Sequence, residues 1–131
     1  MLYIKKIFCK IGFCLIFTLS FVLVSSNIIK SEDKLIEEKL SNIVNTDDVN
    51  VLISSDPYVY IRNSKEDFDY IVSKDESLEY MIKEFSKGNE DGLKEYIMAL
   101  ACCDILGEDI TNKQWNSGRE WYTNYLSSKE S

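Results

Sequence analysis

The tightest constraint in this sequence is the stretch Gly92–Gly107, GLKEYIMALACCDILG. Leu93, Ile97, Leu100 and Ala101 recur at i, i+4, i+7 and i+8, the spacing of one helical face, and Tyr96 and Cys103 widen that face. From Ile97 to Leu106 only Asp104 is polar, and Met98, Cys102 and Ile105 make the back of the helix apolar too. A helix apolar all round belongs in the middle of a fold or in a membrane. This run is about half of the ~20 residues a span needs, so the stretch predicts one central buried helix wrapped by shorter elements. Asp91, just ahead, suits an N-cap or first-turn role, and Gly107 can supply the left-handed residue that ends the helix.

Asp104 is the anomaly in that helix. It projects close to the direction of Leu93, Ile97 and Leu100, and a buried carboxylate must be paired, hydrogen-bonded or protonated. Arg119 is the expected partner, because the segment carrying it must fold back over the central helix. The pair reads as a structural strut; the alternative role for Asp104 is a catalytic acid.

With 131 residues the chain has room for one globular domain, and one Pro and five Gly suit helices rather than a turn-rich β fold. All 22 acids follow Ser26, whereas Lys5, Lys6 and Lys10 precede it. The remainder thus sets twelve basic against twenty-two acidic side chains, a balance of −10. So acidic a domain repels phosphate backbones, which argues against nucleic acid as a partner.

Ile11 to Val24 carries no charge, and the uncharged stretch extends to Ile29, 19 residues in all. Three lysines, an apolar segment and Val24-Ser25-Ser26 before Asn27 form the pattern of a cleavable secretion signal; the length also suits an uncleaved anchor. Both readings put the N-terminus in the membrane at least transiently and residues 30–131 outside the cytoplasmic membrane. The expected organisation is residues 1–29 as signal peptide or anchor, 30–50 as a polar helical stalk, and 51–128 as a helical domain. Cys9 and Cys14 fall in the leader. Cys102 and Cys103 are neighbours whose side chains a helix points about 100° apart, so they are read as small buried apolar residues rather than a disulfide.

In the segment 30–50, Ile36, Leu40 and Ile43 form a thin apolar stripe, so the helix stands as a stalk between membrane and domain or docks weakly. Asp56-Pro57 looks like an N-cap with Pro at the first helical position. Phe68, Ile71 and Val72, then Leu78, Met81, Ile82 and Phe85, mark two short helices joined by Ser73-Lys74-Asp75-Glu76, an αα-hairpin. A last helix starts near Ser117 with Trp121, Tyr122, Tyr125 and Leu126 on one side, and Gly118 is read as permitting a close backbone approach to the central helix.

These residues carry a resemblance. Gly92, Leu93, Glu95, Tyr96, Ile97, Ala99, Ala101, Ile105, Leu106 and Gly107, then Trp115, Ser117, Gly118, Glu120, Trp121 and Tyr122, resemble a small extracytoplasmic helical domain of Gram-positive bacteria with a C-terminal W-SG-EWY motif. The likeness covers about residues 55–125 and extends loosely to HEAT-like helical pairs. It implies an all-α fold, a HEAT-like or orthogonal bundle, and an extracytoplasmic location, but no catalytic residues. Lys74-Asp75 stands where HEAT-like hairpins often carry Gly, and no repeat occurs at HEAT spacing.

The chain has no His, which removes Ser-His-Asp triads, Cys-His pairs and His-based zinc sites. No phosphate-cradling Gly motif occurs, and no cofactor or metal is expected. Ser31-Glu32-Asp33-Lys34 matches S-x-x-K without the other motifs that chemistry needs, and the acid pairs Asp47-Asp48, Asp67 with Asp69, and Glu90-Asp91 suit solvated helix ends. Asp104 and Glu120 could form a glycosidase pair only if a cleft held them about 5 to 9.5 Å apart. The aromatics are better candidates. Trp121 and Tyr125 are expected in the core, whereas Trp115, Tyr58 and Tyr60 are the candidate contacts for a partner. The leading expectation is a non-enzymatic, exported or membrane-tethered interaction module whose partner is another envelope protein. The alternatives are a cell-wall glycan-binding or glycan-cleaving protein and an immunity- or inhibitor-type protein that blocks a basic factor.

Overall fold

The computed structural model describes residue 28 and residues 30–130. The chain divides into two compact units, residues 1–32 and 33–131. The expected leader over 1–29 falls almost wholly outside the described residues. The second unit carries the core and the clefts.

Its described part is all-helical, with no strand. Helix α1 runs to residue 44 from residue 30, and is followed by α2 (Val49–Leu52), α3 (Pro57–Asn63), α4 (Lys65–Val72), α5 (Ser77–Lys87), α6 (Leu93–Leu106), a 3-10 turn (Ile110–Asn112) and α7 (Gly118–Lys129). Helices α3, α4, α5 and α7 all pack on α6, and α7 does so most extensively. The plan is therefore a wrap around one helix rather than a stack of repeats.

Helix α6 is the rod its apolar pattern predicts. Ile97, Ala99, Ala101 and Cys102 are fully buried, and Met98, Leu100 and Cys103 nearly so. Gly92 is its N-cap, and the Glu95 carboxylate accepts the Gly92 N–H at 2.8 Å. Asp91 does not cap α6; it accepts the Arg119 backbone N–H at 3.1 Å instead. At the far end Gly107 adopts φ 67°, and the Gly107 and Glu108 N–H groups donate to the carbonyls of Asp104 and Cys103. Those two bonds form a Schellman motif, which turns the chain back over the end of α6.

Asp56 caps α3 as its place before Pro57 suggests, and Ser117 caps α7. The Asp56 carboxylate accepts the Tyr58 N–H at 3.0 Å with Pro57 at the first helical position, and Ser117 accepts the Glu120 N–H at 3.2 Å to open α7. Ser64 breaks the chain between α3 and α4 with φ −121° and ψ 45°. Helices α4 and α5 direct Ile71, Met81 and Phe85 into the core, each at 1 % exposure or less.

Helix α1 corrects one expectation. Residues 30–50 do not form a stalk: Ile36, Leu40 and Ile43 are fully buried, and residues from 33 onward belong to the same unit as α6. The stripe is thin but every member is used. Polar contacts lock it down. Lys39 reaches Asp67 on α4 at 2.7 Å, and Glu37 accepts from Tyr80 on α5 at 2.5 Å and from Lys94 on α6 at 2.7 Å. Residues 49–52 of the expected linker form α2, capped by Asp48.

Candidate functional site

The expected pair of Asp104 and Arg119 does not exist. Asp104 is exposed, and its carboxylate has no partner among the described residues. It lies in the last turn of α6, where the helix emerges from its packing. Arg119 works elsewhere. Its guanidinium donates to the Phe85 carbonyl at 2.6 Å and to the Glu90 carbonyl at 3.1 Å, and it lies over the rings of Phe85 and Tyr122. A cation at the Phe85 carbonyl, which α5 leaves without a helical partner, both satisfies it and complements the helix dipole, and the bond to Glu90 holds the segment beyond α5. Arg119 is thus the latch that ties α7 to the end of α5.

Gly118 sits beside it for the reason its sequence position suggests. A Cβ there would lie 2.2 Å from the Glu95 carbonyl oxygen, so only glycine lets α7 start this close to α6. Glu120, the other member of the imagined carboxylate pair, accepts the Asn116 backbone N–H at 2.8 Å. The approach of Gly118 to Glu95 is nine residues back along α6 from Asp104, about 13 Å at helical rise.

The aromatic cluster is interior. Trp121 is 2 % exposed and stacks on Tyr125 at 5.3 Å, and Phe85 meets both Trp121 and Tyr122. Two expected contact residues are covered as well. Trp115 is 6 % exposed, packed on Tyr96 with Lys113 over its ring and donating to its carbonyl, and Tyr60 is 7 % exposed. Tyr58 alone of the three is half-buried at a cleft.

Three of the clefts among the described residues bear on function. The first, about 410 Å³, lies between α5, α6 and Arg119, and most of its charged side chains are engaged within the fold: Lys87 with Glu84, Lys94 with Glu37, Glu95 with the Gly92 N–H, and Arg119 with backbone carbonyls. The second, about 480 Å³, lies between α3 and the start of α6 over Pro57, Tyr60, Leu93 and Tyr96. In the same part of the chain α2 exposes Val49, Leu52 and Ile53. The third, about 290 Å³, has an apolar floor of Tyr58, Ile61, Phe68, Leu100 and Ile110, with Asp104 and Glu108 as its acidic members.

The third cleft arises from how α6 ends. Gly107 swings Glu108 back so that one carboxylate oxygen accepts from Cys103 Sγ at 3.2 Å and from Trp121 Nε1 at 3.1 Å. Its other oxygen has no partner among the described residues. Asp104 and Glu108 therefore stand together at the negative end of the α6 dipole, and the last turn of α6 holds no basic residue. Each carboxylate there is electrostatically unfavourable until a cation joins it. Asp109 is spent on the 3-10 turn, accepting from the Thr111 N–H and hydroxyl and from Asn112, which hold its carboxyl below its usual range. Burial raises the Tyr58 phenol, with Tyr96 adding to the shift. Sequence reasoning placed Tyr58 and Asp104 among the candidates but missed Glu108; a Gly-terminated helix followed by Glu was its available signal.

The thiols offer little nucleophilic chemistry. Burial pushes Cys103 up to about 12, helped by its hydrogen bond to Glu108, and burial raises Cys102 further. Both remain protonated at neutral pH, and the thiol is the poor nucleophile of the two forms. No group of three or more Cys, Asp or Glu among the described residues is placed to hold a metal ion. No helix among them is long and apolar enough to cross a membrane.

Fold and site together define an all-helical unit with an acidic, apolar-floored cleft at the C-terminal end of its central helix. No family model, curated protein or solved structure matches the chain.

Proposed function

We propose that the chain is an exported or membrane-tethered helical module that acts by binding another protein of the cell envelope, with no catalytic step of its own. The observation that carries this reading is where the aromatic rings go. A glycan platform needs rings open at the surface; Trp115, Trp121 and Tyr60 are instead at 7 % exposure or less. What remains outside is apolar surface on α2 and a cleft whose charge is negative, features of a surface that meets a protein. Export rests on the sequence: Lys5, Lys6 and Lys10 ahead of 19 uncharged residues direct the chain beyond Ile29 across the membrane. The resemblance to an extracytoplasmic domain of Gram-positive bacteria agrees with that placement.

The test is photo-crosslinking from Leu52 and Tyr58 in intact cells, with protease added outside to report topology. The expected result is one discrete crosslinked protein and cleavage of the second unit by external protease. Recovery of cell-wall glycan in place of protein, or full protection from protease, overturns the reading.

A further inference from the structure

We propose that the cleft of Tyr58, Ile61, Phe68 and Leu100 takes an arginine or lysine side chain from a basic segment of the partner protein. Asp104 and Glu108 hold the charged head and the apolar floor holds the stem. This rests on the protein-binding reading and names the chemistry of the partner.

The cleft, at about 290 Å³, is at the lower edge of ligand-site volumes, which begin near 300 Å³, so it has room for a long side chain rather than a larger cofactor. Its floor is apolar, which suits the methylene stem of a basic residue. Its acidic side is built rather than incidental. The Schellman turn at Gly107 sets Glu108 over the end of α6, and Trp121 Nε1 and Cys103 fix one carboxylate oxygen while the other stays open. Asp104 stands one turn away with its carboxylate unpartnered among the described residues, at a helix end that favours positive charge. Lys113, the cation whose charge acts on Tyr58, is committed to the Trp115 carbonyl and the rings of Tyr96 and Trp115. The acidic balance of the chain beyond Ser26 draws a basic partner to the same surface. The other two clefts lack this combination: the first mixes Lys87, Lys94 and Arg119 with its acids, and the second has no charged residue in its lining to specify an occupant.

The experiment is a methyl-detected NMR titration of the full chain with two tripeptide amides, acetyl-Leu-Arg-Leu and the same peptide with citrulline, a neutral shape-match for arginine. The arginine peptide is expected to shift the methyls of Ile61, Leu100 and Ile110 saturably and to bind at least about fivefold tighter than the citrulline peptide, a gap that narrows in added salt. Asp104→Asn is expected to weaken the arginine peptide by about two- to fivefold and leave the citrulline peptide unchanged. The same amide proton shifts outside the cleft in the Asp104→Asn variant and the parent show that it folds. Equal affinity for the two peptides, or an Asp104→Asn chain that still prefers arginine as strongly as the parent, overturns the proposal. Shifts confined to Val49, Leu52 and Ile53 overturn it while leaving the interaction module standing. No shift at any peptide concentration also overturns it, and the crosslinking experiment then decides the broader reading alone.

Discussion

Replacing Gly118 with alanine tests the packing of the whole unit through one carbon atom. The new Cβ would lie 2.2 Å from the Glu95 carbonyl oxygen and 2.3 Å from its carbonyl carbon. A carbon–oxygen contact settles near 3.3–3.6 Å, so the gap must open by about 1 Å. Both atoms belong to backbone, and no rotamer change relieves the clash. The chain has two escapes. In one, α7 moves away from α6, and a gap of that size forfeits about a quarter to a half of each contact well between them. Trp121 sits in that seam at 2 % exposure. In the other, the first turn of α7 unwinds and loses the Ser117 cap, worth about 1 kcal/mol, together with the Arg119 N–H bond to Asp91. Overpacking of this kind costs about 1–3 kcal/mol, and about 2 kcal/mol lowers the melting temperature of a domain this size by roughly 10 °C. Tryptophan fluorescence in urea tracks the change directly, since Trp115 and Trp121 both lie in the affected region, with a midpoint shift of roughly 1 M. Gly107→Ala is the control. Nothing lies within 4 Å of its added Cβ, so it bears only the left-handed backbone penalty at φ 67°, about 1 kcal/mol. A Gly118→Ala chain that melts within about 2 °C of the parent would refute the account of the α6–α7 contact.

The same geometry sets two further outcomes. Arg119→Ala should lower stability by about 2–3 kcal/mol through the lost carbonyl bonds, with Arg119→Lys recovering part of it. A thermal double-mutant cycle with Asp104→Ala should show no coupling, and coupling between these positions would contradict the latch assignment. Glu37→Gln should make stability less dependent on acid. Burial works to raise the Glu37 carboxyl, but the hydrogen bonds from Lys94 and Tyr80 outweigh it and leave its pKa below the usual 4.5. A carboxyl lowered in the folded state contributes stability above its unfolded pKa and loses it as pH falls through the folded value. The parent should therefore exceed Glu37→Gln above about pH 5 and converge with it in acid. Melts in a pH series read this, and a gap that is constant or widens towards pH 3 would count against the Glu37 assignment.

What could be read from the sequence depended on whether the information was local. Helix α6 was legible because a run apolar on every side has one soluble solution, and Gly107 was legible because a left-handed helix end favours the residue without a Cβ. The role of Gly118 was legible for a similar reason. The place of α1 was not. Ile36, Leu40 and Ile43 give the same thin stripe whether a helix docks or stands free. The contacts that decide the matter, Lys39 with Asp67, Glu37 with Tyr80 and Glu37 with Lys94, join residues 28, 43 and 57 positions apart. Asp104 misled for a geometric reason. Its angle on the helix matches that of Leu100, but angle does not give depth along the axis, and the last turn has emerged from the packing. Trp115 lies outside any periodic element, so nothing local marked it as interior. The cleft was half visible: Tyr58 and Asp104 stood out, while Glu108 reaches the site only through the turn that Gly107 makes.

The order of elements along the chain has a consequence for biogenesis. During synthesis α6 emerges before α7, the helix that packs on it most extensively. Helices α3, α4 and α5 are made before it, but until Gly118–Lys129 is made the apolar face of α6 that α7 covers stays open to whatever surrounds the nascent chain. That face must be kept from sticking, by a holding factor or by delayed folding of the earlier helices, until the closing helix arrives.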